Sequence, residues 1–307
     1  MRRSSSAFGI QGTTIWKGFV AIIVLAGWAT GSFTAQRKLA TSADPPSSAT
    51  RGVASQTRSS LSAAIAKNKT SSTELKWSFG GKAQRGWAIY IPLTLEAVKS
   101  GKGVESAEFA EAVARWQNNR GLPATGVVDQ DTWSAMIREF QSRRIRERNS
   151  PPGDQLVVVP ASEFYDNERP AELRHVERHA YAAYKRMVAG AAKDRSLGLR
   201  LTGKGELDPA EKFLKIISAF RTREYQDRLR QAEPHAGRAG LAVNSPHFTG
   251  RALDVYVGGE PVSAAEGNRL IQTRTAVYRW LVKNAEKFGF RPYFYEPWHW
   301  EYVPGSK

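Results

Sequence analysis

The chain has 307 residues, more than the roughly 100–200 residues of a typical domain, so we expect two folded units joined by linkers. Its nine tryptophans and ten tyrosines supply enough large side chains for a core. A formal net charge of +16 indicates an anionic partner such as nucleic acid, a membrane surface or a cell-wall polymer. Cysteine is absent, which excludes disulfides and cysteine-based zinc sites, so any metal must be held by His, Asp or Glu.

The N-terminus carries the pattern of an export signal. Basic residues up to Lys17 precede an uncharged stretch over 18–36, whose apolar part has the length of a signal peptide's hydrophobic region. The whole stretch is just long enough to span a bilayer as a helix. We therefore predict a signal peptide or membrane anchor over residues 1–35, with membrane contact through this segment. The chain is predicted to be exported to the periplasm or cell envelope, with 18–36 either cleaved off or kept as an anchor in the inner membrane.

A polar spacer is predicted to follow this segment. Residues 36–75 are rich in Ser, Thr and Ala and contain almost no large apolar residue. Such a composition is typical of a flexible linker. It also disfavours the alternative that the preceding apolar stretch is a buried core helix, because an export signal or anchor is commonly followed by a polar spacer of this kind.

The first folded unit is predicted to be a small all-α domain over residues 76–145. Within it, Phe109, Val113 and Trp116 recur at helical spacing, and a second helical pattern follows. A resemblance to the peptidoglycan-binding domain type 1 family is carried by the stretch "FAEAVARWQNNRGLPATGVVDQDTW", in which Trp116 replaces a Phe. The resemblance implies attachment to the bacterial cell wall, and it identifies no individual ligand contacts.

The second folded unit is predicted to be an α+β domain over residues 155–307. The charged and Pro-rich stretch 142–155 marks the boundary before it. Helical patterns at 171–194 and 274–290 alternate with strand patterns, of which 213–220 is the most apolar. We expect a small antiparallel sheet flanked by helices, with a site on one face of the sheet.

Two histidines in this domain have the spacing of a metal-binding motif but lack the rest of its pattern. His175 and His179 lie four apart in "HVERH", the spacing of a helical zinc pair. Zinc peptidase motifs place a glutamate directly after the first histidine or directly before the second. Glu177 lies midway between them, so we interpret this pair as structural.

A second histidine motif lies in "NSPHFTGRALDVYVGG". In a strand over 251–257, Asp254 faces away from the apolar side chains, and a carboxylate there needs water or a partner. The turn at Thr249 and Gly250 can bring His247 back toward it. From these residues alone, a surface aspartate and a turn histidine are an equally good interpretation.

The C-terminal stretch "FYEPWHWEYV" favours the functional alternative. Glu296 and His299 would lie on opposite faces of a regular strand, but Pro297 predicts a kink that can bring both to one site. Taken singly, a solvated acid and a packed histidine are the simpler interpretation. With His247 and Asp254, however, they supply three N/O ligands for a catalytic zinc ion and a spare carboxylate for proton transfer.

A third piece of the site is predicted at Arg221, which directly follows the buried strand pattern in "SAFRTREYQDRL". Its guanidinium could hold a developing oxyanion or a substrate carboxylate. Taken alone it would be read as a surface arginine, because 45 of the 307 residues are Lys or Arg.

Three motifs together resemble the D-alanyl-D-alanine carboxypeptidase family of VanY type, within the M15 zinc metallopeptidases. They are "SAFRTREYQ", "SPHFTGRALDV" and "EPWHWEYV", and the resemblance covers roughly residues 155–304. It implies a zinc centre, a catalytic base and side chains that bind substrate, at these positions: His247, Asp254 and His299 for zinc, Glu296 as base, and Arg221, Gln226 and Ser245 for substrate.

One position departs from the family pattern, because Glu301 stands where many VanY-type members have a basic residue. We expect a zinc peptidase acting on peptidoglycan stem peptides, most simply a D,D-carboxypeptidase that removes terminal D-alanine. A peptidoglycan endopeptidase or L,D-carboxypeptidase would use the same zinc site, and a catalytically inactive wall-binding protein is the non-enzymatic alternative. A nucleic-acid partner is disfavoured, since the chain has an export pattern and no recognition motif.

Overall fold

A computed structural model describes residues 48–204, 206–232 and 242–305, without the side chains of 48–58. The predicted signal or anchor segment, 1–35, lies outside the described residues. Within the described ranges, no helix combines the length and the apolar character needed to cross a bilayer.

The described residues form α-helices and short β-strands, which are numbered in chain order. The α-helices are α1 (Ser48–Glu74), α2 (Ile91–Val98), α3 (Ala107–Asn118), α4 (Gln130–Ser142), α5 (Arg178–Ala192), α6 (Arg223–Ala232), α7 (Glu266–Arg274) and α8 (Ala276–Asn284). The strands are β1 (Lys76–Phe79), β2 (Lys82–Arg85), β3 (Leu156–Val158), β4 (His175–Glu177), β5 (Ile216–Ser218), β6 (Ala252–Val255), β7 (Phe290–Pro292) and β8 (His299–Tyr302).

The N-terminal part, from α1 to α4, is mainly helical, as the sequence predicts, and contains one short β1–β2 hairpin in addition. Ser106 caps the start of α3, where its hydroxyl accepts a hydrogen bond from the Phe109 amide, and Asp129 caps the start of α4, where its carboxylate accepts one from the Thr132 amide. Such caps satisfy amide groups that have no partner inside the helix. The predicted apolar stripe of α3, including Phe109 and Val113, is fully buried.

Helix α1 occupies most of the segment for which the sequence predicts a flexible linker. Its buried positions Ala64, Asn68 and Ser72 are small or polar and recur every four residues, on one helical face. Asn68 donates a hydrogen bond to the Gly126 carbonyl and accepts one from the Val128 amide, both at 2.8 Å. The helix is therefore docked by side chain–backbone hydrogen bonds and close approach, which a search for large apolar residues does not detect.

The C-terminal part is built on a four-stranded antiparallel sheet with strand order β5-β6-β8-β7. Leu253 and Val255 of β6 are completely buried, in the core that also contains residues of α5 and α8. Asp254 lies on the opposite face of β6, as the alternation of side chains along a strand predicts. The α+β class and the small antiparallel sheet of the sequence analysis are confirmed.

Two predicted elements of this part differ from the structure. Residues 171–194 were predicted as one helix, but His175–Glu177 forms β4, which pairs with β3, and Glu177 then caps α5 by accepting hydrogen bonds from the amides of His179 and Ala180. A carboxylate at this position ends the strand and starts the helix because it satisfies the free amides of the first turn.

The stretch "FYEPWHWEYV", which by its pattern would be a strand, is extended only in its last part, because β8 begins at His299. The preceding residues Tyr293, Phe294 and Tyr295 instead pack into the aromatic core of the N-terminal part. The Phe294 ring lies 4.7 Å from Phe79 and 5.4 Å from Tyr90, measured between ring centroids. The N-terminal and C-terminal parts therefore share one core within the compact unit Ser47–Lys307.

Candidate metal centre

His247 lies in a short 3-10 helix over Pro246–Thr249, whose first turn is capped by Ser245. Gly250 ends this helix with a φ of 66°, a left-handed conformation that glycine adopts without strain. A Cβ atom there would lie only 3.0 Å from the Glu177 amide nitrogen. This turn leads the chain into β6, as the sequence predicts.

His299 reaches the same place from the neighbouring strand. The Cα positions of Asp254 and His299 are register partners in the β6–β8 pair. Before β8, the Glu296 amide donates to the Tyr293 carbonyl at 3.2 Å, and the His299 amide donates to the Glu296 carbonyl at 2.9 Å. The chain is thus bent around Pro297, as predicted from its lack of an amide hydrogen.

The three side chains form a compact buried group. His247 Nε2 lies 3.3 Å from Asp254 Oδ2, and His299 Nδ1 lies 2.9 Å from Asp254 Oδ1. One donor atom of each residue lies within 4.8 Å of the others, and each residue is at most 3% exposed. Among the described residues, this is the cluster of His, Asp and Glu side chains that could hold a metal ion.

Each histidine is oriented by a hydrogen bond at its outer nitrogen. His247 Nδ1 lies 2.7 Å from the Ala219 carbonyl, to which it donates, so its Nε2 lone pair faces Asp254. His299 Nε2 lies 3.2 Å from Glu301 Oε1, so its Nδ1 faces the cluster. Metal-binding histidines usually have such a partner, and two imidazoles with one carboxylate suit a divalent ion such as zinc.

The charges of the cluster are strongly coupled. Burial lowers the pKa of His247 to about 4, and the neighbouring Arg221 guanidinium acts in the same direction. Burial also disfavours a charged His299, but its hydrogen bonds to Asp254 and Glu301 outweigh this and raise its pKa to about 9. Burial acts against ionised Asp254 too, yet the two histidines hold its pKa well below its usual range. Asp254 is therefore a carboxylate in this protein.

Glu296 is a different kind of carboxyl group. It is 6% exposed, and its Oε1 has no hydrogen-bond partner among the residues that the structure describes. Burial raises its pKa to about 8, because the loss of hydration outweighs the opposing positive charges of His299, Arg144 and Arg221. It lines the same cleft as the His/Asp/His group, and this cleft has a volume of about 830 Å³. A carboxyl group with a pKa near neutrality can both accept and donate a proton.

Arg221 is placed beside the metal-binding group. Its guanidinium donates to Asp254 Oδ2 at 2.8 Å, to Ser218 Oγ at 2.9 Å and to Gln226 Oε1 at 3.2 Å. Gln226 is 1% exposed and lies behind Arg221, outside the lining of the cleft. Ser245 lines the cleft, and its hydroxyl accepts the His247 amide hydrogen at 3.3 Å.

The pair His175 and His179 takes no part in this centre. His175 is in β4 and its Nδ1 lies 3.1 Å from the Glu172 carbonyl, while the exposed His179 pairs with Glu177 at 2.8 Å. The two residues therefore do not share a helix face, and their interpretation as structural residues stays a prediction.

Several residues of the cleft were not anticipated from the sequence. The stretch 142–155 was treated as a boundary, yet Arg144 and Arg148 from it line the cleft, together with Lys82 of β2. Glu301, which contacts His299, stands out in the sequence only as a departure from a family pattern. One signal could have found it: residues two apart on a strand face the same side, which places Glu301 beside His299.

The α+β domain thus carries a buried His/Asp/His group that could hold a metal ion, with a carboxyl group in the same cleft. Residues 174–305 match the family model described as VanY, D-alanyl-D-alanine carboxypeptidase. Residues 94–136 match the model described as putative peptidoglycan binding domain. The two matches agree with the resemblances carried by the sequence motifs, which are confirmed. No curated protein matches the chain.

Proposed function

We propose that this protein is a zinc-dependent D,D-carboxypeptidase that removes the terminal D-alanine of peptidoglycan stem peptides. One observation carries the proposal. The buried group of His247, Asp254 and His299 presents one donor atom from each residue in the same cleft as Glu296, whose Oε1 has no hydrogen-bond partner within the described ranges. A ligand set and an unpaired proton-transfer group in one cleft are what peptide hydrolysis requires.

The roles follow from the contacts of each side chain. His247, Asp254 and His299 would hold the zinc ion, which when bound polarises a carbonyl group and acidifies water. Glu296 takes a proton from the attacking water and delivers it to the amine nitrogen of the leaving D-alanine. The new C–O bond and the broken C–N bond thus leave one new carboxylate and one free amine.

Arg221 supplies the positive charge at the end of the substrate. Its guanidinium lies beside Asp254 and is about one-tenth exposed to the cleft. Gln226 and Ser218 hold its orientation through hydrogen bonds at 3.2 and 2.9 Å. A planar guanidinium held in this way can bind the terminal carboxylate or the developing oxyanion in a defined geometry. Gln226 therefore contributes to substrate binding through Arg221, and Ser245 through the wall of the cleft.

The charge of the cleft favours a substrate with a free carboxylate. Lys82, Arg148 and Arg169 line it in addition to Arg221. An exopeptidase must recognise the terminal carboxylate, whereas an endopeptidase must accept a chain that continues. An L,D-carboxypeptidase or endopeptidase with the same zinc site is the alternative, and a catalytically inactive wall-binding protein is the non-enzymatic one.

Peptidoglycan is the partner that both domains indicate, which supports a location in the cell envelope. The predicted export signal over 1–35 agrees with this location, and membrane contact through that segment is part of the proposal. The net charge of +16 would favour adsorption to an anionic wall.

Mass spectrometry of purified muropeptides incubated with the chain tests the proposed reaction. We expect loss of one terminal alanine, abolished by a chelator and restored by zinc. Glu296→Gln is the matched control, because it removes the proton-transfer group and leaves all three ligands. Cleavage inside the stem or crosslink would instead establish the endopeptidase alternative, and no metal-dependent product would favour the non-enzymatic one.

A further inference from the structure

Glu301 is a completely buried carboxylate that touches a proposed zinc ligand. It is 0% exposed, and its Oε1 lies 3.2 Å from His299 Nε2. Because His299 and Glu301 are two apart on β8, their side chains lie on the same face of the sheet. The carboxylate therefore meets the imidazole edge that points away from Asp254.

The other contacts of Glu301 come from the segment that follows α4. Arg144 donates to Oε1 through Nε at 2.9 Å, and the Ile145 amide donates to Oε2 at 2.7 Å. The Arg144 guanidinium also lies over the Tyr293 ring, 3.8 Å from its centroid. That ring stands edge-on to His299, with centroids 5.7 Å apart. Residues 144–145 thus hold both the carboxylate and the aromatic ring that flank His299.

We infer that Glu301 is a positioning residue for the metal centre, which fixes the ring and tautomer of His299, and that Arg144 holds Glu301 in place for this task. The inference rests on the proposed zinc site. A hydrogen on Nε2 that points to Glu301 leaves the Nδ1 lone pair available for a metal ion. The segment between the wall-binding and peptidase domains would then be a structural part of the metal centre rather than only a connection.

The peptidase family pattern alone does not lead to this role, since many VanY-type members carry a basic residue at the position of Glu301. A basic side chain could not accept the Nε2 hydrogen of His299. In this chain position 301 carries a negative charge instead of a positive one, and Arg144 of the connecting segment supplies the opposite charge. The pair is therefore a feature of this protein's own sequence.

Zinc affinity, measured by competition with a chromophoric chelator on the full chain, tests the inference without relying on catalysis. Loss of an outer-shell partner typically weakens metal binding about 10–100-fold. We expect a loss in that range for Glu301→Ala and a smaller one for Arg144→Ala, which leaves the carboxylate in place. Glu301→Gln retains an oxygen that can accept the Nε2 hydrogen, so it should retain more affinity than Glu301→Ala.

Arg143→Ala is the matched control. Arg143 pairs with Glu286 at 2.8 Å, so it also ties the connecting segment to the peptidase domain, but it is exposed and contacts no proposed ligand. Glu286 keeps its second partner, Arg291, in this variant. Removal of the Arg143 side chain should leave zinc affinity unchanged. Circular dichroism of each metal-free variant verifies that the fold is retained, and Arg144→Ala provides a second test if Glu301→Ala does not fold.

If the wild type and Glu301→Ala bind zinc with equal affinity, the inference about Glu301 is overturned but the proposed function is not. An equal loss in Arg143→Ala would also overturn it, because the effect would then come from general loosening of the segment. Failure of the wild-type chain to bind zinc would overturn the proposed function itself, which keeps the two failures distinguishable.

Discussion

The burial of Glu296 predicts an unusual pH dependence of stability. Its pKa is raised from 4.5 to about 8 in the folded metal-free protein, so the folded state binds more protons than the unfolded state between these values. Stability is therefore lost as the pH rises through this window, and the full cost of burying the charged carboxylate is present above about pH 8. Glu296→Gln removes this cost because an amide does not titrate.

The size of the effect follows from the shift. A difference of about three and a half pH units corresponds to an upper bound of about 5 kcal/mol. The carboxyl group is 6% exposed, so solvent screening reduces this value little. Relative to the wild type, the Gln variant should therefore gain a few kcal/mol of stability between pH 5 and pH 9.

Urea denaturation of both proteins in the presence of a chelator measures this gain. The difference in unfolding free energy between variant and wild type is compared at pH 5, 7 and 9, which cancels most contributions of the other titrating groups. A difference that stays constant across the three pH values would refute the reasoning, since Glu296 would then titrate alike in both states.

Other expected outcomes concern activity, metal binding and the shared core. Glu296→Gln should bind zinc as tightly as the wild type while losing at least about a hundredfold in turnover, measured on muropeptides, and undiminished turnover would remove Glu296 from proton transfer. Asp254→Asn should lower zinc affinity in the same chelator competition, because a neutral amide replaces the anionic donor; unchanged affinity would place the metal elsewhere. Phe294→Ala should lower the unfolding free energy by about 3–5 kcal/mol in urea titrations. Its ring is 1% exposed and packs between the two parts of the chain, so a loss below about 1 kcal/mol would contradict their shared core.

The residues of the proposed metal centre could be predicted from the sequence because the relations within each motif are local, while the family resemblance joined the separate motifs. His247 and Asp254 are joined by a single turn that Gly250 permits, and Asp254 must face away from the apolar residues of its own strand. Glu296 and His299 are brought together by the bend at Pro297. Short-range geometry of this kind is set by turn residues and strand alternation, which a sequence displays directly.

Only the tertiary structure decided how the two parts of the chain are joined. Helix α1 docks through Asn68 and small residues, so its sequence looks like that of a linker. Arg144 and Glu301 are 157 positions apart, and nothing in either neighbourhood specifies the partner. Such contacts depend on how whole elements pack, and packing selects partners by shape and by the need to satisfy buried charges rather than by any pattern along the chain.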